Sequence, residues 1–170
     1  MLRAPLSVLA ALSALALAGC GFTPLYGTPG VSSTLSAVQV NTPEGRVGQL
    51  IREHLDDALA RNSEPAKYRM DLQLSEQRFP RGVRVDNVAT RYEYVLTAVY
   101  TLVSTSTGAP AKTGRVRVEV TYDSADQPYA SVAAQQVAQD RAASEAARRI
   151  QLELAVWLSN PPKAPKTKAG

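Results

Sequence analysis

Three segments of this chain alternate apolar and polar residues with a period of two. In residues 67–77, Tyr68, Met70, Leu72 and Leu74 oppose Arg69, Asp71, Gln73 and Ser75. In residues 90–104, Tyr92, Tyr94, Leu96, Ala98, Tyr100 and Leu102 oppose Arg91, Glu93, Thr97 and Thr101. In residues 115–122, Val116, Val118, Val120 and Tyr122 oppose Arg115, Arg117, Glu119 and Thr121. Successive side chains of a strand project to opposite faces, so this period marks strands of an antiparallel sheet with one face buried.

The segments on either side supply the rest of the fold. Residues 35–40 read as a short strand with Val38 and Val40 on one face. Thr42-Pro43-Glu44 is a helix start, with Thr as the cap, and Val47, Leu50, Ile51, Leu55, Ala58 and Leu59 then recur at helical spacing to about residues 61–62. The stretch STSTGAPAKTG reads as a hairpin loop. Residues 128–160 form one long helix, with Ala143, Ala146, Ala147, Ile150, Leu154, Trp157 and Leu158 as its apolar stripe. Upstream the stripe thins to Val132, Ala133 and Val137 among glutamines, so the first turns are expected to leave the sheet. The order β-α-β-β-β-α predicts an α+β fold. It is a two-layer sandwich, with two helices packed on one face of a four-stranded, mostly antiparallel sheet.

The chain opens with one positive charge in residues 1–5 and an almost unbroken apolar run in residues 6–18. Spanning a bilayer takes about twenty apolar residues in a helix, so this run reads as a secretory leader over residues 1–19. Its end, Leu17-Ala18-Gly19-Cys20, has the form of a bacterial lipobox. Cys20 is then the first mature residue, carrying a thioether-linked diacylglycerol and an acylated amino group. More than one chain makes such anchoring stable, at about 0.8 kcal/mol per buried methylene. Gly21 rather than Asp follows the cysteine, so the expected address is the outer membrane, on its periplasmic side. Residues 20–33 are rich in Gly, Pro, Ser and Thr and read as a lipid-anchored tether. Residues 34–160 form the single domain, and residues 161–170 a flexible basic Pro/Lys tail.

Composition narrows the chemistry. The chain has 19 Lys and Arg against 15 Asp and Glu. Arg3, Lys163, Lys166 and Lys168 account for the whole excess, so residues 20–160 are neutral and no nucleic-acid partner is indicated. The lone cysteine, taken by the lipid, leaves nothing for a disulfide, a Cys-rich zinc site or an iron–sulfur cluster. His54, the lone histidine, has no nucleophile or carboxylate pair nominated beside it, and reads as a structural or surface residue. Asp56 and Asp57 are adjacent on a helix and diverge, so they read as a solvated face rather than a cation site. No phosphate loop, dinucleotide fingerprint or serine elbow is present. Neither cofactor, metal nor enzyme activity is expected.

One segment stands above this background. RFPRGVRVDNVATR, residues 78–91, holds Arg78, Arg81, Arg84 and Arg91 against Asp86. It reads as the link between two strands, which clusters these guanidiniums at one end of the sheet. Arginine forks pair bidentately with phosphate and carboxylate, so a lipid bearing phosphates and acidic sugars suits them. They equally suit water or ion pairing at a soluble hairpin end. A second feature is the polar sheet face, with Thr97, Thr101 and Gln73 beside Val95 and Val99. It suits solvent, or insertion into a protein cavity. The tyrosine stripe (Tyr68, Tyr92, Tyr94, Tyr100, Tyr122) is explained by core packing, and otherwise hints at a stand-alone lipoprotein carrying a small amphiphile.

Three stretches carry a family resemblance: CGFTPLYG at residues 20–27, ATRYEYVLTAVYTLV at 89–103 and YASVAAQQVAQDRAASEAARRI at 129–150. Following a lipobox, they resemble the LptE family of lipopolysaccharide-assembly lipoproteins, in its alphaproteobacterial form. The resemblance implies an interaction protein rather than an enzyme. Its domain would sit as a plug and assembly scaffold in the lumen of the outer-membrane β-barrel LptD, and the pair would insert lipopolysaccharide into the outer leaflet. It also implies direct lipopolysaccharide binding through basic residues. Arg78, Arg81, Arg84 and Arg91 are the candidates on charge alone.

Overall fold

The computed structural model describes residues 30–62, 65–83, 89–124 and 127–160. The leader, Cys20, most of the expected tether, Arg84 and the C-terminal tail lie outside them. The elements run α1 (Val31–Leu35), β1 (Val38–Asn41), α2 (Arg46–Ala58), β2 (Tyr68–Val83), β3 (Ala89–Ser104), β4 (Pro110–Asp123) and α3 (Pro128–Ser159). The sheet order is β1-β2-β3-β4, with β1 parallel to β2 and the other pairs antiparallel.

The alternation in the sequence is the alternation of burial. Met70, Leu72, Tyr94, Leu96, Ala98, Tyr100, Leu102, Val116 and Val118 are buried, and share one cluster with Ile51 and Leu55 of α2 and Ala142, Ala146, Ile150 and Leu154 of α3. Burying a side chain such as Ile51 or Leu55 contributes about 1.5–3 kcal/mol, so this cluster dominates the fold's stability. The expected two-layer α+β sandwich is therefore present, with both long helices on one face. Val95, although on the other face, is also buried, between its Cα partners Gln77 and Glu119.

Several local expectations are corrected. Residues 31–35 form a helix turn rather than tether and strand, because Val31 and Leu35, four residues apart, both reach the core. The cap of α2 is Gly45 rather than Thr42. Its φ of 113° lies in the region that favours glycine, and the helix ends at Ala58, earlier than the spacing indicated. β4 starts at Pro110, which shortens the loop to residues 105–109. The first turns of α3 do not leave the sheet. Ala138 is buried, and polar bonds hold those turns: Arg78 donates to Gln135 at 3.0 Å, Gln139 donates to Glu76 at 3.1 Å, and the hydroxyls of Ser124 and Ser131 meet at 2.8 Å.

Candidate functional site

The described residues of the arginine segment, 78–83 and 89–91, are strand rather than linker. β2 continues to Val83 and β3 begins at Ala89, so Arg78 and Arg81 lie in β2 and Arg91 in β3. Strand parity then divides the three. Arg78 shares the helix-covered face with Met70 and Leu72. Arg81 and its Cα partner Arg91 are on the open face. The three stand at one end of the sheet, but in paired strands and on two faces rather than in the link that the sequence suggested. Arg84 lies outside the described residues.

Each of the three arginines has partners. The Arg78 guanidinium sits 4.9 Å from the centre of the Tyr92 ring and donates to Gln135 of α3. Arg81 donates through Nε to Glu93 Oε2 at 2.6 Å, and lies 5.9 Å from the Phe79 ring. Arg91 donates through Nε to Asp123 Oδ1 at 2.8 Å. Three guanidiniums against the two carboxylates Glu93 and Asp123 leave a surplus of one. A shallow depression of about 560 Å³ is lined by Arg81, Gly82, Thr90, Arg91 and Asp123. The Arg91–Asp123 pair is exposed on both sides, 58% and 75%, so its net contribution is at most about 1 kcal/mol and an anionic ligand can displace it.

The open face continues as a ladder of charges. Arg117 donates to Glu119 at 2.8 Å and holds its carboxyl below the usual range. Gln73, Thr97, Val99 and Arg115 line a further depression of about 320 Å³, which places the polar sheet face of the sequence reading on one surface.

The tyrosine stripe is spent on packing. Tyr94 donates to Glu76 at 2.8 Å and Tyr100 to Glu153 at 2.6 Å. Burial, reinforced by the neighbouring carboxylates, pushes both hydroxyls far above the usual tyrosine range. Tyr92 stacks on Tyr122 at 5.7 Å, and Tyr68 meets Trp157 edge-on at 5.9 Å. His54 joins the two long helices through a 2.9 Å contact with Asp140. Among the described residues, no group of three or more His, Cys, Asp or Glu is placed to hold a metal ion. None of their helices is long and apolar enough to cross a membrane.

The family model LptE, described as lipopolysaccharide-assembly, matches residues 33–154, nearly the whole folded unit. The chain belongs to the LptE family. A crystal structure from Caulobacter crescentus, described as a lipoprotein, is 54% identical to this LptE-family chain. The match covers 79% of this chain and 99% of that one, with a TM-score of 0.68. Rare lipoprotein B from Shewanella oneidensis shares the fold at 16% identity, covering 72% and 95% of the two chains with a TM-score of 0.56. A lipoprotein B from Nitrosomonas europaea does so at 13% identity, covering 72% and 84% with a TM-score of 0.55. No match is found among curated protein sequences. This LptE-family chain is thus a lipopolysaccharide-assembly protein of the cell envelope, and it shares its fold with proteins described as lipoproteins.

Proposed function

We propose that this chain is the lipoprotein subunit of the lipopolysaccharide translocon. Acylated on Cys20, it is held on the periplasmic side of the outer membrane. There it occupies the lumen of the LptD β-barrel as a plug and scaffold, and supports insertion of lipopolysaccharide into the outer leaflet. The observation that carries this reading is the LptE match across residues 33–154. The lipobox at residues 17–20 supports the anchor, and the exposed Arg81 guanidinium beside the exposed, displaceable Arg91–Asp123 pair supports contact with an anionic glycolipid. Its role is assembly and interaction rather than catalysis.

The test is a mild-detergent pull-down of the tagged, full-length lipoprotein from native outer membranes. A single large β-barrel near one to one is the expected result. Recovery of the lipoprotein alone at every detergent strength would overturn the plug reading and favour a free carrier of amphiphiles. Intact mass of the same material is expected to show a diacylglycerol and an acyl chain on Cys20. A free thiol there would remove the anchor.

A further inference from the structure

Among the described residues, the corner above α2 has neither an edge strand nor a second helix. β1 pairs with β2 only from Val38↔Tyr68 to Asn41↔Asp71, whereas β2 runs on to Val83. Among the described residues no strand lies beside β2 past Asp71. No described element covers the adjoining face of α3 either. Ala143, Ala147, Ile150 and Leu154 are buried at three- and four-residue spacing, and α2 reaches that stripe through His54–Asp140 and through the bond from Gln151 to the Ala58 carbonyl. Continued upward, the same stripe meets Val132 and Tyr129, exposed by 55% and 92%.

Backbone parity shows what this edge offers. Ser104 N donates to Ala109 O at 3.0 Å and Ser124 N to Thr90 O at 2.9 Å, so even-numbered residues of β3 face β4 and their even-numbered partners in β2 face away from β3, as Tyr68 N does toward Ala37 O at 3.3 Å. Within an antiparallel ladder both polar groups of a residue point the same way, and successive residues point opposite ways. The β2–β3 register runs without a shift from Tyr68↔Ser104 to Arg81↔Arg91. Leu74, Glu76 and Arg78 therefore direct both N–H and C=O outward at the bare edge, and Pro80 directs only a C=O. The opposite edge of the sheet differs, because Arg149 of α3 reaches over it and donates to Arg117 O at 3.0 Å.

A row of paired peptide donors and acceptors is completed by another strand, and an acyl chain has nothing to pair with it. The side chains beside the row are already held, Glu76 by Tyr94 and Gln139 and Arg78 by Gln135, which keeps the edge clear. Pro80 sets the upper limit, since it has no N–H to give. β1 shows that this edge accepts a strand.

We infer that the β2 edge from Leu74 to Arg78 is the docking site for an extended segment of the barrel partner, which adds to the sheet in line with β1. This deepens the plug reading and rests on it.

Residue-resolved hydrogen exchange tests it, on the full-length lipoprotein in detergent and on the complex recovered from outer membranes. In the free protein the amides of Leu74, Glu76 and Arg78 are expected to exchange at least ~10-fold faster than those of Gln73, Ser75 and Gln77. In the complex the first three are expected to slow by ~10-fold or more, with the alternation lost. Side-chain packing alone would slow neighbours of both parities. Three amides that stay fast in a complex containing the barrel overturn the docking site and leave the plug reading intact. Amides already slow in the free protein overturn it too. If no barrel is recovered, the plug reading itself fails and takes this inference with it.

Discussion

A Cβ on Gly114 would lie 2.4 Å from the Tyr100 ring. The two are Cα partners in the β3–β4 ladder, and the glycine makes room for a ring that is fully buried and whose hydroxyl reaches across the layer to Glu153. Gly114→Ala is expected to destabilise the domain by about 1–3 kcal/mol through overpacking, read as a lowered urea midpoint at unchanged m-value. An unchanged midpoint would mean that the ring is free to move.

The same hydroxyl gives the protein a base limit. Tyr94 and Tyr100 titrate above their ordinary value in the folded state, chiefly through burial, and keep their protons while folded. In the unfolded chain they ionise near the usual value of about 10, so the unfolded state releases protons first and stability falls as pH rises beyond about 10. Below that value these two groups contribute no pH dependence. Denaturation midpoints between pH 8 and 11 would show the decline, and the Tyr94→Phe/Tyr100→Phe double variant would flatten it.

Gly48 is the second close approach. A Cβ there would stand 2.0 Å from the carbonyl oxygen of Pro43, a backbone atom with little room to give. Gly48→Ala is expected to cost at least as much as Gly114→Ala, about 2–3 kcal/mol, because α2 must shift bodily from the turn that precedes it. Thermal unfolding of the two variants side by side decides the order.

Contact with lipopolysaccharide is tested by Arg81→Gln/Arg91→Gln. Arg91 and its partner Asp123 are both exposed, whereas Arg81 pairs with the largely buried Glu93, so the double variant is expected to lose about 1–2 kcal/mol of stability, nearly all of it from Arg81→Gln, and to stay folded. Binding of purified lipopolysaccharide at low salt is expected to weaken ~10-fold and to lose part of its ionic-strength dependence. Equal binding by both proteins would remove these residues from the interaction.

Periodicity gave away the sheet wherever apolar helix positions cover it, and faltered where the cover is polar, as Gln135 and Gln139 of α3 are over Arg78 and Glu76. β2 reads clearly as far as Leu74, but Glu76 and Arg78 on the covered face are as polar as Gln77 on the other. Alternation therefore vanishes just where α2 no longer lies over the strand. The start of β4 is hidden for a related reason: Ala111, Lys112, Thr113 and Gly114 show no contrast between faces. α1 was invisible because five residues with two apolar ones, Val31 and Leu35, look like any tether. The arginines were visible as residues but not as pairs. Glu93 is 12 positions from Arg81, and Asp123 is 32 from Arg91, distances that only the strand register closes. Glu76 and Glu153 were missed as acceptors for buried tyrosines, because a carboxylate at a strand or helix surface position carries no mark of what reaches it from below.

The length of β2 has a consequence for reach. Its sixteen residues, at about 3.3 Å each, make a bar of about 50 Å. The first described residue, Gly30, and the start of β2 lie at one end, joined through Ser36–Asn62 and Ala37–Lys67 backbone bonds, and Arg81 stands near the other. A bilayer with its headgroups is about 40–45 Å thick. A domain fastened at its foot by a short leash, and standing upright inside a barrel, would thus carry its guanidiniums from one surface of the membrane to the other without moving any part of itself.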